Sequence, residues 1–207
     1  HFSIESRIDV LKPDILRLIK GVGLTSITVG IETPDEGTLK HHKRAPIKDD
    51  LQREWVALCR SMGIRTVAGF MIGFPSDTKA DIRGVLRYAQ QVGPTYANFN
   101  VCTPYPGTEW FTQVKDQIES FDSATSSVYT VLKYEHLTAD EVHQEHTRCF
   151  QRYYFSWKYL YDNAHLLFPG LQTLGIGRWH KEPESKPKTS VVPKPHVTTG
   201  ESCDSAP

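Results

Sequence analysis

The sequence predicts an α/β fold in which a parallel sheet is joined by crossover helices. Three observations predict it. Strand-like and helix-like segments alternate as β-α-β-α-β-α-β between Phe2 and Cys102. The helical stretches close on glycine, at Gly21, Gly63 and Gly93. The run Ser26–Ile31 is β-branched and apolar on both faces, as expected of a strand covered on both sides. An open doubly wound sheet and part of a closed βα barrel both fit this order, and in either one the chemistry belongs at the carboxyl ends of the strands.

The elements follow in turn. Phe2 to Ile8 reads as a short strand, and Pro13 to Lys20 as a helix with proline in its first turn. After the strand at Ser26–Ile31, a helix over about Asp50 to Ser61 places Leu51, Trp55, Leu58, Cys59 and Met62 at helical spacing. Thr66–Ile72 is the next strand, and Ile82, Val85, Leu86, Ala89 and Val92 mark the helix that leads to the last one, Tyr96–Cys102. Thr108 to Gln117 can be helical, whereas Phe121 to Tyr134 is polar and irregular. Thr138-Ala-Asp-Glu141 is a capping box that opens a long helix, with Val142, His146, Cys149, Phe150, Tyr153, Trp157 and Leu160 on one face. His146 in that stripe reads as a packed histidine, and the crowd of aromatics from Phe150 to Tyr161 exceeds what one stripe can bury. From Trp179 onward the chain is rich in proline and poor in large apolar residues, so a disordered tail is expected. The expected organisation is therefore residues 1–117 as strand–helix units, 118–178 as a helical extension and 179–207 as tail.

Composition narrows the function. The 207 residues carry 24 basic and 24 acidic side chains, without the basic bias of a dedicated nucleic-acid binder. No segment has the roughly eighteen uninterrupted apolar residues of a membrane span, and no secretory leader opens the chain. Cys59, Cys102, Cys149 and Cys203 stand more than about forty residues apart, which matches packed thiols in a cytoplasmic setting rather than a metal or disulfide framework. Small-molecule chemistry is the expectation. Because the chain opens on His1, without an initiator Met, it also reads as a piece of a longer protein.

Four loops could carry that chemistry. Glu32 ends a strand without other charges, so its carboxylate should emerge at the strand's carboxyl end. His41-His-Lys-Arg44 follows; adjacent histidines make a poor metal pair, whereas the planar fork of Arg44 suits a carboxylate. Gly69 to Thr78 ends a strand in glycines and Phe-Pro before a helix whose N-terminal N–H groups could face a ligand. Thr103-Pro-Tyr-Pro-Gly-Thr108 is a rigid turn carrying an aromatic ring.

In this order the pieces resemble the radical SAM superfamily, in particular its cobalamin-binding-domain-associated branch of anaerobic magnesium-protoporphyrin ester cyclases and C-methyltransferases. The resemblance rests on Glu5-Ser-Arg7-Ile-Asp9, Val29-Gly-Ile-Glu32-Thr with Leu39-Lys40 and Lys43-Arg44, Gly69-Phe-Met-Ile-Gly-Phe-Pro75 with Asp77-Thr78, and Thr103-Pro-Tyr-Pro-Gly-Thr-Glu109. It covers roughly residues 2 to 160. It implies the last four or so strands of a partial (β/α)6 TIM-type barrel, with S-adenosylmethionine across the strand ends beside a [4Fe-4S] cluster. Reductive cleavage there gives a 5′-deoxyadenosyl radical, with flavodoxin or ferredoxin as electron donor, a small-molecule, lipid or tetrapyrrole-like substrate, and cobalamin in some members.

Carried over by position, Glu32 is similar to the residue that binds the ribose or amino-acid part, Arg44 to the carboxylate clamp, and Glu5 to a polar contact one strand earlier. Gly69, Met71 and Gly73 resemble the glycine motif near the adenine, and Thr103, Pro104 and Tyr105 the turn that closes the nucleotide side. Ser76-Asp77 and Thr33-Pro34 depart from the usual Gly-Glu and Ser-Gly. The family's CxxxCxxC loop and Gly-Gly-Glu motif have no counterpart, and cluster thiolates need close spacing. The chain is thus expected to be a C-terminal fragment, inactive alone, of a radical SAM parent. A barrel-like domain that lost the cluster, and an unrelated barrel enzyme using Glu32 and His41 in acid–base work, are the alternatives.

Overall fold

The computed structural model of the chain describes residues 1–41, 49–119 and 132–167. Arg44 and the tail at 179–207, for which the sequence carries expectations, lie outside them. Four strands, β1 (Phe2–Ser6), β2 (Leu24–Glu32), β3 (Arg65–Ile72) and β4 (Tyr96–Val101), form one parallel sheet in the order β1-β2-β3-β4. The helices α1 (Pro13–Gly21), α2 (Glu36–His41), α3 (Asp49–Ser61) and α4 (Lys79–Val92) lie in the crossovers. Strand order without reversal means that successive right-handed crossovers place their helices on the same side, as in a barrel wall; a doubly wound sheet would reverse direction.

The burial pattern agrees. Ile27, Val29 and Ile31 of β2, Ala68, Phe70 and Ile72 of β3, and Ala97, Phe99 and Val101 of β4 are buried on the helix side with Leu16, Trp55, Val56, Ile82 and Ala89. The alternate residues Ser26, Thr28, Gly30, Gly69, Asn98 and Asn100 face the other way and are exposed or half-buried. One expectation is corrected here. The β2 run is not covered on both faces, since its polar residues fall on every second position. The uncovered face is built mainly of small and polar side chains.

Local signals explain the ends of the elements. Pro13 occupies the first turn of α1, and Gly63 and Gly93 take φ of 66° and 65° after α3 and α4, a conformation that glycine enters without steric penalty. Thr78 caps α4 in a capping box with Asp81, and Thr138 caps α6 (Ala139–Tyr154) in the same way with Glu141. The helix predicted from Thr108 is shorter: α5 (Glu109–Gln113), then a 3₁₀ turn at Lys115–Gln117.

Two face assignments change, and one helix is added. On α3, Leu51 is exposed while Gln52 turns inward to accept from the Tyr88 hydroxyl at 2.8 Å. Trp157 does not extend the α6 stripe, because Ser156 caps a new helix, α7 (Trp157–Asp162), and the tryptophan is 88% exposed. Helix α2, not foreseen, starts where the Asp35 carboxylate accepts from the Thr38 N–H at 2.6 Å.

α6 lies along the β4 side of the sheet and shares its core through Val142, Cys149 and Tyr153. Its side chains also occupy the strand edge. The Tyr154 hydroxyl accepts from the Ala97 N–H and donates to the Ala97 carbonyl, each at 3.0 Å, and His146 Nε2 lies 2.9 Å from the Phe99 carbonyl. An edge strand's unpaired groups are thereby answered by side chains. Burial lowers the pKa of His146, in keeping with the packed role read from the sequence. The aromatics divide: Tyr153 is buried and Phe150, Tyr154 and Tyr159 pack on the core, while Phe155, Trp157 and Tyr161 are exposed. At the other side of the sheet, β1 is an edge strand and is exposed over most of its length. No helix among the described residues is long and apolar enough to cross a membrane.

Candidate functional site

The site is built at the carboxyl end of β2. Gly30 pairs in register with Gly69, but Glu32 pairs with Phe70, so Ile31 is an extra residue in a bulge. Glu32, just beyond it, has φ of 71°, alone among the described non-glycine residues in the left-handed region. Such a conformation is strained for a residue that carries a Cβ and persists where surrounding structure imposes it, commonly at ligand sites. Its carboxylate folds back over Gly30: a Cβ at position 30 would stand 2.7 Å from Glu32 Oε1. Gly30 thus makes room for the carboxylate, a role that the sequence analysis had not assigned to it.

A cavity of about 440 Å³ opens beside this carboxylate. Glu32 and Thr33 from the end of β2, Met71 and Phe74 around the end of β3, and Thr103 and Tyr105 after β4 line it together with Cys102 and Trp110. Four of the predicted residues, Glu32, Met71, Thr103 and Tyr105, are therefore brought to one space by three different strands. Thr103 is buried and its hydroxyl donates to the Val101 carbonyl at 3.1 Å, which fixes the start of the turn. Pro104 is buried in that turn, and Tyr105 remains 55% exposed at its tip.

The others sit differently. Glu5 lies on the open face of β1, paired with Thr28, away from the cavity lining. Gly69 is in the middle of β3, where an added Cβ would meet only ordinary contacts at 3.8 Å and beyond. Gly73, at φ 73°, approaches protein rather than open space: a Cβ there would lie 3.1 Å from Val142 Cγ1 and 3.2 Å from the Tyr134 hydroxyl. Thr38, Leu39, Phe74 and Trp110 line the cavity without having been assigned a role there. The Asp35 cap that starts α2 is the sequence signal that could have placed the first two.

The β3–α4 loop also differs from expectation. The N–H groups of Gly73 and Phe74 both donate to Asp77 Oδ2, at 2.8 and 3.0 Å, and the α4 N-terminus is closed by Thr78 and Asp81. These donors are engaged within the loop and are not offered to a ligand. Burial pushes the Asp77 carboxyl up to about 6, against the lowering effect of the two N–H donors.

The three described cysteines are core residues. Cys59 and Cys149 are buried, with thiols pushed up to about 12 by burial, and burial raises Cys102 as well, helped by the Asp77 and Glu32 carboxylates. None has the exposed, thiolate-favouring surroundings of a metal ligand.

Comparison with known proteins agrees with this architecture. Residues 1–89 match the radical SAM superfamily. The chain is 29% identical over 157 residues to the anaerobic magnesium-protoporphyrin IX monomethyl ester cyclase of Cereibacter sphaeroides, covering 74% of this chain and 25% of that protein. In fold it resembles coproporphyrinogen III oxidase from Escherichia coli, a radical SAM enzyme, with a TM-score of 0.52 and 12% identity over 73% of this chain and 31% of that one. It also resembles a radical S-adenosylmethionine methyltransferase from Kitasatospora setae, solved with cobalamin and a [4Fe-4S] cluster, with a TM-score of 0.50 and 18% identity over 72% and 30% of the two chains. The chain therefore spans about a quarter to a third of the length of these relatives. The reading as an unrelated barrel enzyme falls away. Four parallel strands stand in barrel order, and the part of the chain that builds β1 to β3, with the ends of β2 and β3 at the cavity, belongs to the radical SAM superfamily.

Proposed function

We propose that this chain supplies S-adenosylmethionine-holding strand ends of a radical SAM enzyme. The parent reductively cleaves S-adenosylmethionine at a [4Fe-4S] cluster to start radical chemistry on an organic substrate, ending in oxidative cyclisation or methyl transfer. The observation that carries this reading is Glu32, held at φ 71° beyond a bulge with its carboxylate laid over Gly30 at the edge of the cavity. A strained acceptor in a preformed concave space suits ribose hydroxyls or an ammonium group.

The chain's residues then divide the work of binding. Glu32 accepts hydrogen bonds from the ribose or amino-acid part, and Met71 and Gly69 floor the site on β3. The rigid turn from Thr103 to Tyr105 closes the nucleotide side, while Gly73 shapes the loop beyond β3. Glu5 serves as a polar contact one strand away, and Arg44 clamps the carboxylate. The cluster does not fit this chain: no three cysteines have chelating spacing, and Cys59, Cys102 and Cys149 are buried in the core. Its ligands, any cobalamin domain and the surface for a flavodoxin- or ferredoxin-type donor belong to the rest of the parent.

Equilibrium dialysis of the full chain with labelled S-adenosylmethionine tests the proposal. Saturable binding is expected, with Glu32→Ala about tenfold or more weaker, one charged hydrogen bond, and Arg17→Ala, on the outer surface of α1, unchanged. A chain that retains no S-adenosylmethionine would favour a domain that kept the fold and lost the function.

A further inference from the structure

The open face of the sheet carries two asparagines, Asn98 and Asn100, to which cofactor binding gives no role. The registers sort its side chains into rows. Gly30, Gly69 and Asn98 are partners across β2, β3 and β4. Met71 and Asn100 form the next row toward the strand ends, and Glu5, Thr28, Val67 and Tyr96 the row below. The Glu32 carboxylate lies over Gly30, so the bare backbone of this row is at Gly69. Packing does not demand Gly69, because the nearest atom to an added Cβ is Asn100 Nδ2 at 3.8 Å.

Asn98 is exposed and Asn100 half-buried, and neither amide is engaged by a described group. Two apart on one strand face, they stand about 7 Å from each other along β4. Barrel interiors are ordinarily filled by Val, Ile and Leu, whereas here Val67 and Met71 are the aliphatic side chains of these rows. A dry filling would leave both amides buried and unpaired, which is unfavourable. Whatever lies on this face must therefore offer hydrogen bonds.

We propose that the bare backbone at Gly69, with Asn98 and Asn100, binds the organic substrate, and that the group it binds is a planar amide lying flat on that backbone. Each asparagine presents one acceptor and two donors on a single edge, the complement of an adjacent C=O and N–H. A hydrocarbon skeleton would strand both side chains. An anionic group would meet the Glu5 carboxylate in the row below. This rests on the S-adenosylmethionine reading above, whose substrate class it names, and it assigns Asn98 and Asn100 as substrate-positioning residues.

The test uses the full chain, labelled with ¹⁵N, and 2-pyridone as a planar amide probe. The side-chain NH₂ signals of Asn98 and Asn100 are expected to shift saturably. Asn98→Leu and Asn100→Leu should each weaken the response at least fivefold, with the backbone spectrum otherwise retained. N-methyl-2-pyridone, which keeps the ring and removes the donor, should bind at least fivefold less well. Equal responses to the two probes, unaltered binding in the leucine variants, or no saturable shift would each overturn the proposal. Dialysis of S-adenosylmethionine against the same variants keeps the two readings apart: it should be unchanged in both, and its loss in the wild-type chain would sink the cofactor reading whatever the probe does.

Discussion

Replacing Gly30 by alanine should separate ligand binding from stability. Gly30 lies in β2 outside the positive-φ region, so alanine fits its backbone. The added Cβ would stand 2.7 Å from Glu32 Oε1, against 3.4 Å or more for an ordinary contact, so the carboxylate must retreat by about 0.7 Å. The atom displaced is the far end of a flexible side chain, and the sheet itself has no reason to move. A misaligned charged hydrogen bond loses about 1.5–3 kcal/mol, which weakens S-adenosylmethionine binding by about 10- to 100-fold. Stability should change the other way: removing glycine's freedom from the unfolded chain contributes about 0.4–1 kcal/mol, a melting temperature higher by about 1–4 °C. Equilibrium dialysis and thermal unfolding read the two effects separately. Binding within twofold of wild type would show that the position of Glu32 is not what holds the ligand. A lowered melting temperature would show that Gly30 serves the sheet instead.

Three further outcomes follow from particular contacts. Burial raises the Asp77 carboxyl to about 6, so its contribution to stability is full below about pH 4 and is lost as pH rises through about 6. Asp77→Asn, neutral throughout and able to accept both loop N–H bonds, should exceed wild type by about 1–2 kcal/mol at pH 8 and match it near pH 4; urea unfolding giving the same difference at both would refute this. Tyr154→Phe leaves the Ala97 N–H and carbonyl without their hydroxyl partner, with an expected loss of about 1–3 kcal/mol and faster exchange of the Ala97 amide; unchanged protection there would contradict the edge role.

Glu145 accepts from Arg83 Nε and Nη2 at 3.0 and 2.6 Å, chiefly which lowers its pKa. Its contribution is present above the usual carboxylate range and lost as pH falls through the lowered value. Glu145→Gln should therefore lose about 1–2 kcal/mol at pH 7, the arginine being half in solvent, and approach wild type in acid. A loss that persists in strong acid would point to packing rather than charge.

Much of the scaffold was legible because its signals are short-range. Gly63 and Gly93 stop helices in the next residue or two, and the capping boxes at Thr78 and Thr138 span three residues. The break before Trp157 was legible as well, in Ser156, but the aromatic run drew the stripe through it. The inward turn of Gln52 in place of Leu51 had no local signal, since it depends on Tyr88 thirty-six residues away.

The residues alone determined the order of strands and helices, the likeness to the radical SAM family and the strand ends where ligands gather, all carried by patterns within a few neighbouring positions. Tertiary structure decided which face each strand buries and how the open one is furnished. It also decided the bulge that swings Glu32 over Gly30, and the closing of the β4 edge by Tyr154 and His146 from 57 and 47 residues away. A bulge exists only between paired strands, and an edge is capped only once a distant helix has docked. Neither is a property of any stretch of sequence read by itself.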